Sequence, residues 1–467
     1  MKHLNVFGAI ALALMPVAAS AQLYQDASNT TALSVRDPAR QASTEIDAVI
    51  NNPAGTSFLK QGWHFSLNGH LTNGQMDFTS YNQTVTRQTQ NFIPSLQAAY
   101  KKNKFAFSLS FGEEGGYGIQ YEAYNPLLSY FLENASEFAF SSMVSSFRKY
   151  DQLVSHTTNH GRLYNYSARI GAAYQINKHL SVAVGLRLNY YDEKSKIRIR
   201  RYVRQGNGDL STPEEYYNAL AKYIEQDSVL SKYNSFKFKK FADTPTRSTL
   251  SDISNHGFGI SPILSVHYQN KNFDIAAKYE FATKIHAKED GTSFHIPSLL
   301  QLGASWKPLN NLKIALGGSW SYVTSDNLPG RQQQFDLTKG ENVSYFDKHF
   351  ISLNVSEEIS TGLHINSWDV SASVTYLPIE KLSLSAGYKY AQMGYMYPTL
   401  THNSATASEI APTANVISAG IGYNICDGIQ LNFGVTRKLQ PGQAEGRYYN
   451  VGGLQATTAA AGINVNF

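Results

Sequence analysis

Tyr164-Asn165-Tyr166-Ser167-Ala168-Arg169-Ile170-Gly171-Ala172-Ala173-Tyr174-Gln175-Ile176 decides the fold. Apolar groups hold the even positions and small or polar groups most odd ones, the period of two that sends successive side chains to opposite faces of a strand. After Asn177, Lys178 and His179 the pattern resumes, with Leu180, Val182, Val184, Leu186, Leu188 and Tyr190 set against Ser181, Ala183, Gly185, Arg187 and Asn189. A soluble sandwich would turn a polar face outward. This alternation suits a barrel wall instead, with one face for lipid and the other for a wet or packed lumen.

The same pattern places strands near 63–71, 92–100, 105–111, 164–176, 180–190, 256–268 and 273–285. Seven more fall near 299–306, 312–322, 366–376, 382–392, 416–425, 429–437 and 457–467. Fourteen is an even number, as a single-chain bacterial barrel requires, and six short connections alternate with seven long ones, as periplasmic turns alternate with outer loops. Both chain ends are therefore expected on the periplasmic side. The last strand ends on Ile463, Val465 and Phe467 alternating with Asn464 and Asn466.

Composition agrees. Lys2, the apolar run through Ile10, Leu12 and Leu14, and Ala19-Ser20-Ala21 read as a secretory signal peptide over 1–21. The rest contains one cysteine, Cys426, so no internal disulfide is available. Mean hydropathy is −0.32, and no later stretch is apolar for the length of a membrane helix. A membrane-spanning chain of this kind must be a closed barrel. A net charge of +5 on an exported chain makes nucleic acid a poor partner.

Ahead of the first strand, Ala42-Ser43-Thr44-Glu45-Ile46-Asp47-Ala48-Val49-Ile50-Asn51-Asn52-Pro53-Ala54-Gly55 carries a turn at Asn52-Pro53-Ala54-Gly55, where proline fixes φ and glycine relaxes it. Asp47 and this turn, followed by fourteen barrel strands, resemble the N-terminal hatch of the FadL/TodX outer-membrane transporters of long-chain fatty acids and other hydrophobic molecules. The hatch of that family usually has glycines upstream, whereas residues 28–41 here have none. The resemblance implies a hatch over 22–62, with Asp47, Asn52, Pro53, Ala54 and Gly55 as its residues, and a transmembrane barrel over 63–467. It also implies a terminal strand resembling the signal read by the barrel assembly machinery.

The pattern breaks in the third strand. Phe105, Phe107, Leu109 and Phe111 face lipid by parity, but Gly112-Glu113-Glu114-Gly115-Gly116-Tyr117-Gly118 would aim Glu113 at lipid, which costs free energy according to depth. Glycines in a strand mark bends or bulges, so this strand is expected to kink or end. The resemblance implies a lateral gate at Gly112, Glu113, Gly115, Gly116 and Gly118; an ordinary start to an outer loop is the alternative.

Two outer loops carry helical signals. Asn125-Pro126 opens one, with Leu128, Phe131, Ala135 and Phe138 in one stripe and Phe140, Met143, Val144 and Phe147 in another, suiting two short helices. Thr212-Pro213-Glu214-Glu215 is a capping box ahead of Tyr217, Leu220 and Ile224. The resemblance implies a ligand-capturing groove on these helices; mutual packing of the loops would bury the same faces. Lys194, Lys196, Arg198, Arg200, Arg201 and Arg204 offer charge to lipopolysaccharide phosphates or to water. Lumen-facing charge by parity includes Arg169, Arg187, Asp274, Lys278, Glu280 and Lys389. Arg169, Arg187 and Lys278 are candidates for a fatty-acid head group, unless they pair with one another or with the hatch.

No Gly-x-Ser-x-Gly elbow occurs, and His156 and His160 lack the intervening Glu of a metalloprotease. His64 and His70 face the lumen by parity. The resulting expectation is a monomeric, non-enzymatic outer-membrane transporter for hydrophobic ligands that needs no cofactor or metal. A general porin, or a barrel phospholipase, is the alternative.

Overall fold

The computed structural model describes residues 31–80, 83–116, 137, 140–141, 144, 148–227, 238–239, 241–287, 293–322, 360–364, 367–392, 395–399, 413–440, 443–446 and 449–467. Fourteen strands form the wall: β1 (Gly62–Ser80), β2 (Gln83–Lys102), β3 (Phe105–Gly116), β4 (Gln152–Gln175), β5 (Leu180–Arg204), β6 (Arg247–Gln269) and β7 (Phe273–Glu280, continued by Thr283–Ala287). They are followed by β8 (Ser298–Leu309, preceded by Ser293–Ile296), β9 (Leu312–Tyr322), β10 (Ser367–Ile379), β11 (Leu382–Gln392), β12 (Thr413–Cys426), β13 (Ile429–Gln440) and β14 (Tyr449–Asn466). Each pairs antiparallel with the next, and β14 pairs with β1, so the sheet closes on itself. Trp63 and Phe467 exchange backbone hydrogen bonds of 2.7 and 3.0 Å at the seam. Both lie at the short-turn end.

The outward face is apolar as the alternation requires. Phe105, Phe107, Leu109 and Phe111 on β3 and Val182, Val184, Leu186 and Leu188 on β5 are exposed, which is costly in water and suits lipid. The inward face is built from small polar groups, among them Ser66, Ser95, Ser110, Ser181, Ser265 and Ser305, all buried. Among the described residues no helix is long and apolar enough to cross a membrane.

Several strands overrun the expected bounds. β4, β5 and β6 have 24, 25 and 23 residues, whereas a tilted strand crosses a bilayer in about 9–11. Their outer halves therefore stand clear of the membrane, and His156 and His160 sit inside β4 rather than before it. Alternation weakens there because neither face meets lipid, so the pattern undercounts the pairing. β1 and β2 likewise stay in register to Ser80 and Gln83, so the long first outer loop expected at 72–91 is instead a hairpin extension.

Above the wall, α3 (Pro213–Gln226) begins with the capping box in place: Thr212 Oγ1 accepts from Glu215 N at 3.2 Å and Glu215 Oε2 accepts from Thr212 N at 2.9 Å. Its buried face, Tyr217, Leu220, Ala221 and Ile224, lies outside the membrane, over the extension of β5. Two shorter helices, α1 (Ala32–Arg36) and α2 (Ala48–Asn51), belong to the N-terminal segment. The outward face yields one test. Replacing Leu186 with Arg, midway along the apolar part of β5, should destabilise the barrel by about 2–4 kcal/mol. Urea titration in lipid vesicles measures this, and unchanged stability would show that this face is not in lipid.

Candidate functional site

Residues 31–59 fold inside the barrel and travel round its wall in descending strand order. Ala32 N donates to Asn68 Oδ1 on β1 (2.9 Å), and Ala32 packs with Ala460 on β14. Arg36 reaches Ser383 on β11 (2.6 Å) and lies against Gly420 and Gly434 of β12 and β13. Gln41 covers Gly303 and Gly317 on β8 and β9. Lys278 on β7 donates to the Ile50 carbonyl (2.7 Å), and Asn52 donates to the Val266 carbonyl on β6 (3.3 Å).

The wall is thinned to admit this path. A Cβ at Gly434 would come within 2.6 Å of the Arg36 backbone nitrogen, and one at Gly303 within 2.7 Å of the Ala42 nitrogen. Backbone cannot swing away as a side chain can, so these positions need glycine for close approach.

Asp47 is the hub of the segment. Its carboxylate accepts two hydrogen bonds from Arg40, from Nε at 2.7 Å and from Nη2 at 2.8 Å, and also one from Ser43 Oγ (2.6 Å) and one from Asn51 Nδ2 (3.0 Å). Arg40 further meets Glu45 at 3.1 Å and Asp37 at 3.6 Å. Burial disfavours the Arg40 charge, yet Asp47, Glu45 and Asp37 raise its pKa, and Arg40, Lys313 and Arg36 hold the half-exposed Glu45 below the usual carboxylate range. Such a bidentate pair is strong when complete and costly when one side is removed.

The Asn52–Gly55 turn docks on β3 to β6. Asn52 is extended, with φ −159°, as the residue before proline should be. Asn52 Nδ2 also meets His267 Nδ1 at 3.2 Å, Ala54 N donates to Ser265 Oγ at 3.0 Å, and Ser181 Oγ donates to the Ala54 carbonyl at 2.8 Å. Ala54 packs with Ala106, Ala173 and Ala183. Pro53 lies against Gly171, and Gly55 sits where any Cβ would strike the Ser43 carbonyl.

The three head-group candidates meet on one carboxylate. Lys278 and Arg187 both pair closely with Glu280, Arg169 lies 3.5 Å from it, and Arg187 also donates to Thr283 Oγ1 at 2.9 Å. All four are buried. Asp274 pairs elsewhere, with Ser305 at 2.8 Å and Lys307 at 3.5 Å.

The third strand neither stops nor simply bends at Gly112. Its pairing with β2 ends at Ser95 and Gly112, while its pairing with β4 continues to Glu113 and resumes, shifted, between Gly116 and Tyr164. Gly115 lies within that irregularity. The next residue of β2 is Pro94, which has no N–H to give. From there outward, β2 has no partner on the β3 side among the described residues. The Glu113 side chain lies outside the described residues.

Phe140 is wholly buried, with ring centroids 5.4 Å from Tyr216 and 6.2 Å from Tyr217. It belongs to a core between the outer loops rather than to an open groove, because α3 needs that cover for its aromatic face. Gly118, Leu128, Phe131, Phe138 and Phe147 lie outside the described residues.

Sequence reading missed Arg36, Arg40 and Gln41. The inward-parity glycines of β8, β9, β12 and β13 were a usable signal, since a lumen face without side chains must face something else.

Fold and geometry together define a single-chain transmembrane barrel whose lumen is occupied by residues 31–59 of its own chain. Its fold is that of the FadL/TodX hydrophobic-compound channels. It superposes on a mutant of the TodX monoaromatic hydrocarbon channel with a TM-score of 0.57 at 14% identity, covering 95% of this chain and 100% of that one. A Pseudomonas aeruginosa FadL homologue matches at 0.56 and 10% identity, over 94% of this chain and 98% of that one. The Ralstonia pickettii toluene transporter TbuX matches at 0.51 and 15%, over 93% and 99%. No protein-family model and no curated protein matches the sequence.

Asp47→Ala should cost the segment about 3–5 kcal/mol, the usual penalty for breaking a buried ion pair. Limited proteolysis within 31–59 should accelerate, and single-channel conductance should rise. Unchanged cleavage and conductance would show that the Arg40 clamp does not hold the segment.

Proposed function

We propose that this chain is a passive outer-membrane transporter for hydrophobic small molecules. The observation that carries this reading is the conjunction of an occupied lumen with a wall in which β2 and β3 part beyond Ser95 and Gly112. A lumen lined by serines and crossed by the N-terminal segment is poorly suited to an apolar solute, whereas the parted strands face lipid directly. Residues 22–62 act as a hatch, with both chain ends periplasmic. Ligand is collected at the outer loops and leaves sideways at Gly112 to Gly118. The named channels of the same fold, for toluene and other monoaromatic hydrocarbons, favour this class over a general porin.

The Arg169, Arg187 and Lys278 cluster gathers three cations at one place in the lumen wall, a chemistry that suits the head group of a fatty acid. The exposed row Lys194, Arg198, Arg200 and Arg204 continues the lipid-facing parity of β5 and suits lipopolysaccharide phosphates, and the terminal strand serves recognition by the assembly machinery.

Radiolabelled fatty acids should bind the folded protein saturably in a non-acyl detergent, tightening about fourfold per methylene at roughly 0.8 kcal/mol each. No saturable palmitate or toluene binding would remove the reading. Gly115→Val with Gly116→Val should slow uptake while leaving binding intact; unchanged uptake would count against lateral release. Arg187→Gln should weaken palmitate binding about tenfold and leave toluene unaffected. An equal loss for both would deny the cluster a head-group role.

A further inference from the structure

The short-turn mouth of the barrel holds a cavity of about 420 Å³ between the end of the N-terminal segment and three turns of the wall. Phe58 and Leu59 form its apolar side. Lys101, near the β2–β3 turn, Lys178 and His179 on the β4–β5 turn, and Lys271 on the β6–β7 turn bring cations to it, and no carboxylate lines it. Lys178 and Lys271 are exposed, but Lys101 is only 3% exposed.

The polar atoms here are poorly matched. The Lys101 ammonium, with three donors, has one hydrogen bond, to Gln175 Oε1 at 3.3 Å. A buried charge with one neutral partner is expensive. His179 Nδ1 donates to the Gln269 carbonyl at 2.8 Å, which leaves its Nε2 beside the ammonium groups. Elsewhere in this lumen the buried cations Arg40 and Lys278 each have a carboxylate among their partners, Asp47 and Glu280. At the mouth that role is left to something that enters.

We infer that this cavity is a binding site for a small oxyanion, phosphate or carboxylate, whose oxygens take charge-assisted hydrogen bonds from Lys101, Lys178 and Lys271. The site has a further consequence. Ser57, Phe58, Leu59 and Gln61 form one wall, and the Gln61 side chain already grips the β2–β3 turn, accepting from Asn103 N at 2.7 Å. The cavity exists only while the segment is seated, so an anion that fills it holds the segment in place by linkage. The inference stands on the mouth geometry alone and does not depend on which ligand the barrel transports.

The test is isothermal titration calorimetry of the full folded protein in non-ionic detergent at neutral pH, with inorganic phosphate and with acetate, in parallel with limited proteolysis of residues 31–59. Phosphate is expected to bind saturably, to compete with acetate and to slow cleavage. Lys178→Glu with Lys271→Glu, both on exposed turns that leave the wall intact, should weaken binding about tenfold or more and abolish the protection. Lys101→Gln should do the same if it folds. Heat of binding absent with both anions, or binding that survives the double variant, overturns the site. Binding without any change in cleavage overturns the coupling to the segment.

Discussion

Backbone hydrogen bonding in hydrocarbon is the constraint on which the rest depends. No water is available there, so each N–H and C=O of a spanning strand needs a partner on a neighbouring strand, and only a closed sheet gives every strand two neighbours. The β14–β1 seam meets that need. Closure fixes which side chains see lipid, and so imposes apolar and polar alternation on every strand. It also makes the wall stiff. Whatever controls passage has to be added inside the lumen or arise where the ladder is allowed to fail.

Inside, the same low dielectric makes charge costly unless it is paired. The segment answers with a nearly balanced group: Arg36, Arg40 and Lys313 act on Asp37, Glu45 and Asp47. The cluster on β4, β5 and β7 is different, with Arg169, Arg187 and Lys278 converging on Glu280. The first arrangement locks the segment's own shape and joins it to β9 through Lys313. In the second, Lys278 also donates to the Ile50 carbonyl, which ties the segment to the wall.

Most of the wall was legible because period two is a local signal. Tyr164–Ile176 and Leu180–Tyr190 declare their own faces, and all fourteen strands were placed. The overrun of β4 to β6 was illegible for the converse reason: outside the membrane neither face is apolar, and Lys194 to Arg204 read as loop charge. In the segment, Asn52–Gly55 announced itself by proline and glycine chemistry. Arg40 did not, since nothing local says that an arginine four residues after Arg36 will close on Asp47. Long-range partners such as Glu280 for Arg187 are set by closure, and sequence spacing carries no trace of them.

The parting of β2 and β3 follows from the same constraint that closes the barrel elsewhere. Pro94 pairs with Gly69 on β1 without breaking that ladder, so its missing N–H falls on the β3 side, where a central strand would have lost a bond. Gly112 begins the departure on the opposite strand, and the shift near Gly115 lets β3 follow β4 instead. The stretch from Ser95 to Lys102 is eight residues long, close to the roughly 9–11 that cross a bilayer. Phe111 stacks on Tyr166 at 6.3 Å, and Tyr164 and Tyr166 stack on each other at 5.5 Å, a grouping of rings typical of the membrane boundary. The ladder therefore holds through most of the hydrocarbon and is released near its outer edge. There, unpaired backbone costs least, because water is close enough to satisfy it.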